Sequence, residues 1–141
     1  MPGYSGTPLA KKLGIKEGFR VALVGAPKGF RNELEGLPAE VKFVTSVETS
    51  LDLIVFFTIS RSDLLGNFSR LAARLAPAGM LWVSWPKKAS GVPSDLSDGI
   101  VRQIGLDAGL VDTKVCAVND VWSGLKFVIR VKDRPRIPPG K

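Results

Sequence analysis

The segment Leu51–Thr58 constrains the fold of this chain more than any other part of the sequence. It reads LDLIVFFT and is rich in branched and aromatic residues, which favour strands. A nearly continuous apolar run is typical of a strand that is covered on both faces, as in a parallel sheet between helices. We therefore expect this segment to be the central strand of such a sheet.

Apolar runs alternate with helical spacings on both sides of this segment. The predicted strands are Arg20–Gly25, Val41–Val44, Leu51–Thr58, Met80–Trp85, Val111–Val118 and Leu125–Val131. The predicted helices are Leu9–Leu13, Phe30–Leu37, one between Ser60 and Pro77, and one from near Ser94 or Asp95 to Gly109.

This order of elements predicts the fold class. Strands that alternate with helices imply right-handed crossovers and a parallel sheet. The short connection Asn119–Gly124 between the last two strands favours an antiparallel hairpin. We therefore predict an α/β, Rossmann-like fold, with a mostly parallel sheet of about six strands and a C-terminal antiparallel hairpin.

The length of 141 residues is typical of one domain. We predict a single domain over residues 1–132, in which 1–19 form an N-terminal arm with a short helix. Residues 133–141 form a basic, proline-rich tail that we expect to be disordered. The longest strongly apolar run, Leu53–Phe57, is too short to span a bilayer, and no signal peptide opens the sequence. We therefore expect a cytoplasmic protein.

Histidine and cysteine, two residue types that carry much of enzyme chemistry, are absent or nearly absent. Histidine is absent and cysteine occurs once, as Cys116. This composition excludes histidine-ligated metal sites, histidine-activated serine or cysteine nucleophiles, paired-cysteine sites and a disulfide within the chain. Cys116 lies in an apolar strand, where a free cysteine usually packs as a small hydrophobe. We assign no catalytic residue and no metal site.

The net charge of +7 is concentrated at the two ends of the chain. Residues 1–20 carry +3, residues 130–141 carry +4, and the segment between them carries 11 charges of each sign. No basic helix and no aromatic-rich strand of the RNA-recognition type is evident. We therefore expect neither a dedicated nucleic-acid partner nor a membrane, while the edge of the hairpin leaves a homo-oligomer open.

The ends of the first, third and fourth predicted strands each carry a cation, and in parallel sheets ligands bind outside these carboxyl ends. Hydroxyl groups, a glycine and a tryptophan lie close to the cations in sequence. The candidate anion site consists of Lys28, Gly29, Ser60, Arg61, Trp85, Lys87, Lys88 and Ser90. The alternatives are that the cationic side chains are ordinary solvated residues at loop tips and that Trp85 packs against a helix.

A dinucleotide site would require a glycine-rich turn after the first strand, so that the backbone approaches the pyrophosphate. Only Gly25 and Gly29 are present there, and Pro27 between them lacks an amide hydrogen. Glu48 is the nearest acid that could hold a ribose. The dinucleotide fingerprint is therefore incomplete.

Several motifs resemble a family of small bacterial proteins of unknown function. The most specific is WPKKASGVPSDL at Trp85–Leu96, and YSGTPL at Tyr4–Leu9 agrees with it. The remaining matches are Lys11–Ile15, Val24–Pro27, Lys114–Val118 and Trp122–Leu125. This resemblance covers the chain to about Lys132 and implies no known activity.

Leu13–Gly25 is more distantly similar to the entry into the first strand of class I S-adenosylmethionine-dependent methyltransferases, and Leu75–Val83 resembles a later strand of theirs. The resemblance implies that Gly25, Gly29 and Glu48 would hold S-adenosylmethionine. The family's glycine-rich acidic turn is replaced here by GAPKG, and the stretch between Gly29 and Leu51 is short. A truncated relative that has lost the cofactor site is therefore expected.

Two functions follow as alternatives. The first is a non-enzymatic, cofactor-free Rossmann-like protein that binds an anionic small molecule or a protein partner at its strand ends. The second is a methyltransferase that uses S-adenosylmethionine in a degenerate site. A third interpretation makes the basic arm and tail an interaction module.

Overall fold

The computed structural model describes residues 7–44 and 50–134. The α-helices are α1 (Leu9–Leu13), α2 (Arg61–Ala72) and α3 (Asp98–Asp107). The strands are β1 (Arg20–Val24), β2 (Lys42–Val44), β3 (Leu51–Phe57), β4 (Leu75–Pro86), β5 (Leu110–Ala117) and β6 (Trp122–Ile129). Short 3-10 helices cover Phe30–Glu33, Lys88–Ser90 and Val131–Asp133. Within the described ranges, no helix is long and apolar enough to cross a membrane.

The six strands form one sheet in the order β2-β1-β3-β4-β6-β5. The first four strands pair in parallel, whereas β6 pairs antiparallel with both β4 and β5. Every residue of β3 except Asp52 is buried. The structure therefore confirms the Rossmann-like α/β prediction, the C-terminal antiparallel pair and the interior position of β3.

Two hydrophobic cores lie on opposite faces of this sheet. Helices α2 and α3 cover one face, which we call the α2/α3 face, where Phe68 packs edge-to-face on Phe127 with 5.2 Å between ring centroids. Helix α1 and the first 3-10 helix cover the other, the α1 face. Because side chains alternate along a strand, Trp82 faces the α1 core and Trp85 faces the α2/α3 core, as the sequence spacing predicts.

The helix predicted over Phe30–Leu37 is wrong in type and length, because only Phe30–Glu33 is helical and it is a 3-10 turn. Leu34 leaves the helical region with ψ of 82°, and Gly36 has φ of +75°. A segment so close to glycine and to Pro38 is too short to nucleate an α-helix.

Strand β4 begins at Leu75 rather than at Met80, so Pro77 and Gly79 lie within it. The register explains this, because Leu51 pairs with Leu75 and Leu53 already pairs with Met80, so β4 bulges in between. A Cβ atom on Gly79 would lie 2.7 Å from the Leu51 carbonyl oxygen. The glycine that looked like a helix stop therefore permits a bulge.

Two further elements differ from the prediction. Strand β6 ends at Ile129 and begins already at Trp122, and the early start arises because the side-chain oxygen of Asn119 accepts from the amides of Val121 and Trp122 at 2.9 Å and closes the hairpin early. Helix α3 begins at Asp98, because Ser97 is its N-cap and accepts from the amide of Ile100.

Helix α3 offers a matched pair of glycines that tests this packing. A Cβ on Gly105 would lie 2.0 Å from the Phe127 ring, whereas a Cβ on Gly99 would meet nothing within 4 Å. We expect Gly105→Ala to lower the free energy of unfolding by about 1–3 kcal/mol, because it overpacks the core. Gly99→Ala should raise it by up to about 1 kcal/mol through helix propensity.

Urea denaturation followed by circular dichroism measures both changes. Equal effects of the two substitutions would contradict the close contact between α3 and β6.

Candidate functional site

Three loops meet the sheet at the carboxyl ends of β1, β3 and β4. They are residues 25–29, 58–60 and 87–97. Gly25 starts the first loop with φ of +68°, and a Cβ there would lie 2.7 Å from the carbonyl oxygen of Phe57. The first loop therefore turns tightly against the end of β3, which only glycine allows at this position.

The first loop leaves part of its backbone open. Lys28 and Gly29 are exposed, and nothing would lie within 4 Å of a Cβ on Gly29. The Pro27 carbonyl accepts from the amide of Phe30, but the amides of Lys28 and Gly29 have no acceptor within residues 7–44 and 50–134. Both amides and the Lys28 ammonium are hydrogen-bond donors of the kind that suits an anionic group.

The second loop caps helix α2. The Ser60 hydroxyl accepts from the Asp63 amide at 3.1 Å, and the Thr58 hydroxyl donates to the Asp63 carboxylate at 2.7 Å. Ser60 is therefore the N-cap that the capping-box pattern predicts. Accepting from the Asp63 amide leaves its hydroxyl hydrogen able to donate to a ligand.

The third loop folds back onto the start of α2. Ser94 donates its hydroxyl to the Ile59 carbonyl at 2.7 Å, and the Asp95 carboxylate accepts from the Arg61 amide at 2.7 Å. Asp95 therefore lies outside α3 and binds the first turn of α2 instead. These contacts bring Arg61 and the third loop together.

Of the remaining candidate residues, Ser90 in this loop and Trp85 at the end of β4 are committed to local contacts. Ser90 donates to the Lys87 carbonyl at 2.6 Å and accepts from the Val92 amide. Trp85 is 5% exposed in the core under α2 and α3, so the alternative of packing against helices accounts for it and little of the ring remains for a ligand. Lys87 is half-buried and Lys88 is exposed.

Three of the four strand-end cations lie on these loops, and the fourth, Arg61, is the first residue of α2. In the described part of the chain no hydrogen bond or ion pair holds the side chains of Lys28, Arg61, Lys87 or Lys88. Glu48, the candidate ribose ligand, lies outside the described residues. No cluster of metal-ligating side chains occurs in the described ranges.

Two features of these loops were not predicted from the sequence. Ile59 is 50% exposed and Val92 is 38% exposed, although both are large apolar residues. Beneath the loops, Phe57 packs edge-to-face on Phe30 at 4.7 Å and on Trp122 at 5.1 Å. The aromatic chain links β3 to the hairpin through residues far apart in sequence, which no local pattern reveals.

Cys116 lies on the edge strand β5, level with Gly124 of β6 and Ser84 of β4. Burial raises the pKa of its thiol, and the neighbouring Lys12, Lys114 and Lys126 only partly oppose that rise. The thiol therefore stays protonated at neutral pH, which agrees with a packing role.

No family model and no curated protein matches the chain, so the resemblance to a family of unknown function gains no support. Solved structures do match. A Bordetella parapertussis protein, named as a possible exported protein, has a TM-score of 0.64 at 12% identity over 86% of this chain, which spans 65% of that protein. An S-adenosylmethionine-dependent methyltransferase from Aquifex aeolicus has a TM-score of 0.58 at 18% identity, over 84% of this chain and 86% of that one.

The magnesium protoporphyrin IX methyltransferase of Synechocystis PCC 6803, solved with bound S-adenosylmethionine, has a TM-score of 0.55 at 12% identity, over 86% of this chain and 74% of that one. At such identities the likeness shows the fold alone, a Rossmann-like fold that these methyltransferases share. It overturns the first of our two functional expectations, because a non-enzymatic, cofactor-free protein is less well supported than the methyltransferase alternative.

A buried hydroxyl next to the strand ends gives a second prediction. Ser84 is fully buried, and its hydroxyl finds no partner among the described residues. Because an unpaired buried polar group is unfavourable, we expect Ser84→Ala to raise the free energy of unfolding by about 1 kcal/mol. Ser60→Ala, which removes the N-cap of α2, should lower it by about 1 kcal/mol. Thermal unfolding followed by calorimetry measures both, and a loss of stability in Ser84→Ala would show that its hydroxyl is paired.

The third prediction concerns the pH dependence of Cys116. Since the folded-state pKa of the thiol is raised, alkylation by iodoacetamide at pH 8 should be slower in the folded protein than in the urea-unfolded protein. The folded-state rate should increase only as the pH rises through the raised pKa. Mass spectrometry of the alkylated fraction provides the measurement, and equal rates in both states at pH 8 would contradict the raised pKa.

Proposed function

We propose that the chain is a small S-adenosylmethionine-dependent methyltransferase with a reduced cofactor site. The observation that carries the proposal is the open loop 25–29, which follows β1 in a fold shared with class I methyltransferases. Gly25 turns this loop tightly against the end of β3. Further along the loop, the backbone amides of the exposed residues Lys28 and Gly29 are unused.

The described residues fit one part of this cofactor. The amides of Lys28 and Gly29, with the Lys28 ammonium, would receive its carboxylate. Glu48 would accept from its ribose hydroxyls, as the family resemblance implies. When bound, the cofactor supplies an electrophilic methyl group on a sulfonium.

The acceptor would then lie against the second and third loops. Arg61, Lys87 and Lys88 offer positive charge there, and Ile59 and Val92 offer exposed apolar surface. An acceptor with an anionic group and an apolar part fits this combination.

The groups available for proton transfer at these loops narrow the chemical class of the methyl acceptor further. The Asp63 carboxylate accepts from the Thr58 hydroxyl, the Asp95 carboxylate accepts from the Arg61 amide, and the chain contains no histidine. Few groups at this site are free to take up a proton. The arrangement therefore suits an acceptor that is already a nucleophilic anion.

Isothermal titration calorimetry with S-adenosylmethionine and S-adenosylhomocysteine tests the proposal. We expect saturable binding of both by the parent chain. Glu48→Gln should weaken it by roughly tenfold or more, because a hydrogen bond to a charged group contributes about 1.5–3 kcal/mol. The matched control is Glu17→Gln, since Glu17 is exposed before β1, at the opposite end of the sheet.

The two variants carry the same charge, so net charge cannot explain a difference between them. Absence of binding by the parent would overturn the proposed function. Equal binding by Glu48→Gln and the parent would support cofactor binding but show that Glu48 does not contribute to it.

A further inference from the structure

The third loop contains a segment that lies on the surface between two fixed ends. Residues 88–95 are all exposed except Ser90, which is half-buried. At one end, the amide of Lys87 donates to the Val121 carbonyl at 2.7 Å. At the other end, Leu96 is buried in the core under α2 and α3. We call residues 88–95 the strap.

Most hydrogen bonds of the strap are local. The Ser90 amide donates to the Lys87 carbonyl, and the Gly91 amide donates to the Lys88 carbonyl. The Val92 amide donates to the Ser90 hydroxyl. A Cβ atom on Gly91 would meet nothing within 4 Å, so no other element packs against the strap at this position. These local bonds shape the strap, but they do not hold it against another element.

Two adjacent residues fasten the strap to the start of α2. The Ser94 hydroxyl donates to the Ile59 carbonyl, and the Asp95 carboxylate accepts from the Arg61 amide, both at 2.7 Å. Among residues 7–44 and 50–134, no other hydrogen bond or ion pair joins the strap to another element. We call these two contacts the clasp. Because a charged acceptor makes the stronger hydrogen bond, Asp95 is its main member.

The clasp crosses the surface that the proposed function assigns to the methyl acceptor. Lys88 and Val92 are exposed on the strap, whereas Ile59 and Arg61 are exposed on the other side of the clasp. Each side therefore carries one cation and one apolar side chain. The two halves form a single surface only while the clasp is closed.

We propose that Asp95 is a positioning residue that closes the strap against α2, and that the strap opens and closes in the folded protein. Segments with few buried side chains and exposed hydrogen bonds open locally while the core stays folded. An acceptor that contacts both sides of the clasp binds the closed strap better and shifts the equilibrium towards it. This last step rests on the proposed methyltransferase function, whereas the opening of the strap does not.

Limited proteolysis with trypsin tests the opening, because cleavage after Lys88 requires the strap to leave the surface and reports the open fraction. Mass spectrometry of the fragments measures cleavage at this site. Asp95→Ala should be cleaved there roughly five- to tenfold faster than the parent, since one hydrogen bond to a charged acceptor is lost. Asp95→Asn keeps an oxygen that can accept from the Arg61 amide, and its cleavage rate should stay close to that of the parent.

Asp107→Ala is the matched control. Asp107 is an exposed acid that accepts from the Gln103 side chain at 2.7 Å, at the last residue of α3 and away from the strap. The substitution removes the same charge and a hydrogen bond of the same length. Cleavage after Lys88 should then proceed at the rate of the parent.

Octanoate tests whether the closed strap forms a binding surface, because it combines a carboxylate with an apolar chain. Millimolar octanoate should slow cleavage after Lys88 in the parent and slow it less in Asp95→Ala. A small chromogenic substrate of trypsin controls for direct inhibition of the protease.

Equal cleavage rates of Asp95→Ala and Asp107→Ala would overturn the proposal. Cleavage of Asp95→Asn as fast as that of Asp95→Ala would overturn it too, because lost charge and not the lost contact would then explain the effect. Absence of an octanoate effect in the parent would overturn the link to the acceptor. If Asp95→Ala does not fold, as judged by circular dichroism, Ser94→Ala removes the other half of the clasp, and an unchanged cleavage rate then counts against the strap.

The two proposals fail in different ways. Failure of the parent to bind S-adenosylmethionine would overturn the proposed function, whereas the cleavage rates would still decide whether Asp95 closes the strap. Asp95→Ala should bind S-adenosylmethionine like the parent, because the first loop is unchanged in it.

Discussion

Burial of β3 on both faces is the constraint on which the rest of the structure depends. A strand with six of its seven residues buried needs neighbours at both edges and packed layers above and below. The chain meets this need with β1 and β4 at the edges, with α2 and α3 on one face, and with α1 and a 3-10 turn on the other. The unequal covering leaves the α1 face with the shorter helical elements.

The same constraint determines where chemistry is available. Parallel strands end together, so the loops after β1, β3 and β4 converge although they are far apart in sequence. The loop after β3 is used to cap α2, and the loop after β4 is fastened to it by Ser94 and Asp95. The loop after β1 keeps two unused amides beside the exposed Lys28, and the proposed cofactor site is placed there for that reason.

The sequence predicted the elements that depend on local pattern. The apolar runs located β1 and β3, and Ser60 followed by Asp63 located the start of α2. Local pattern failed where tertiary contacts decide. Gly79 looked like a helix stop but lies in a bulge beside the Leu51 carbonyl, and Trp85 at a strand end proved to be a core residue. No spacing rule could show that Asp95 binds the first turn of α2, because that depends on how the third loop folds back onto this helix.

Strand β4 contributes a tryptophan to each of the two cores, Trp82 to one and Trp85 to the other. The indole of Trp82 also donates to the Leu13 carbonyl at 2.8 Å, which ties α1 to the sheet. The two indoles are thus native fluorophores for separate layers of the molecule. The emission of single-tryptophan variants can show whether the two layers lose their packing in one cooperative step or in succession.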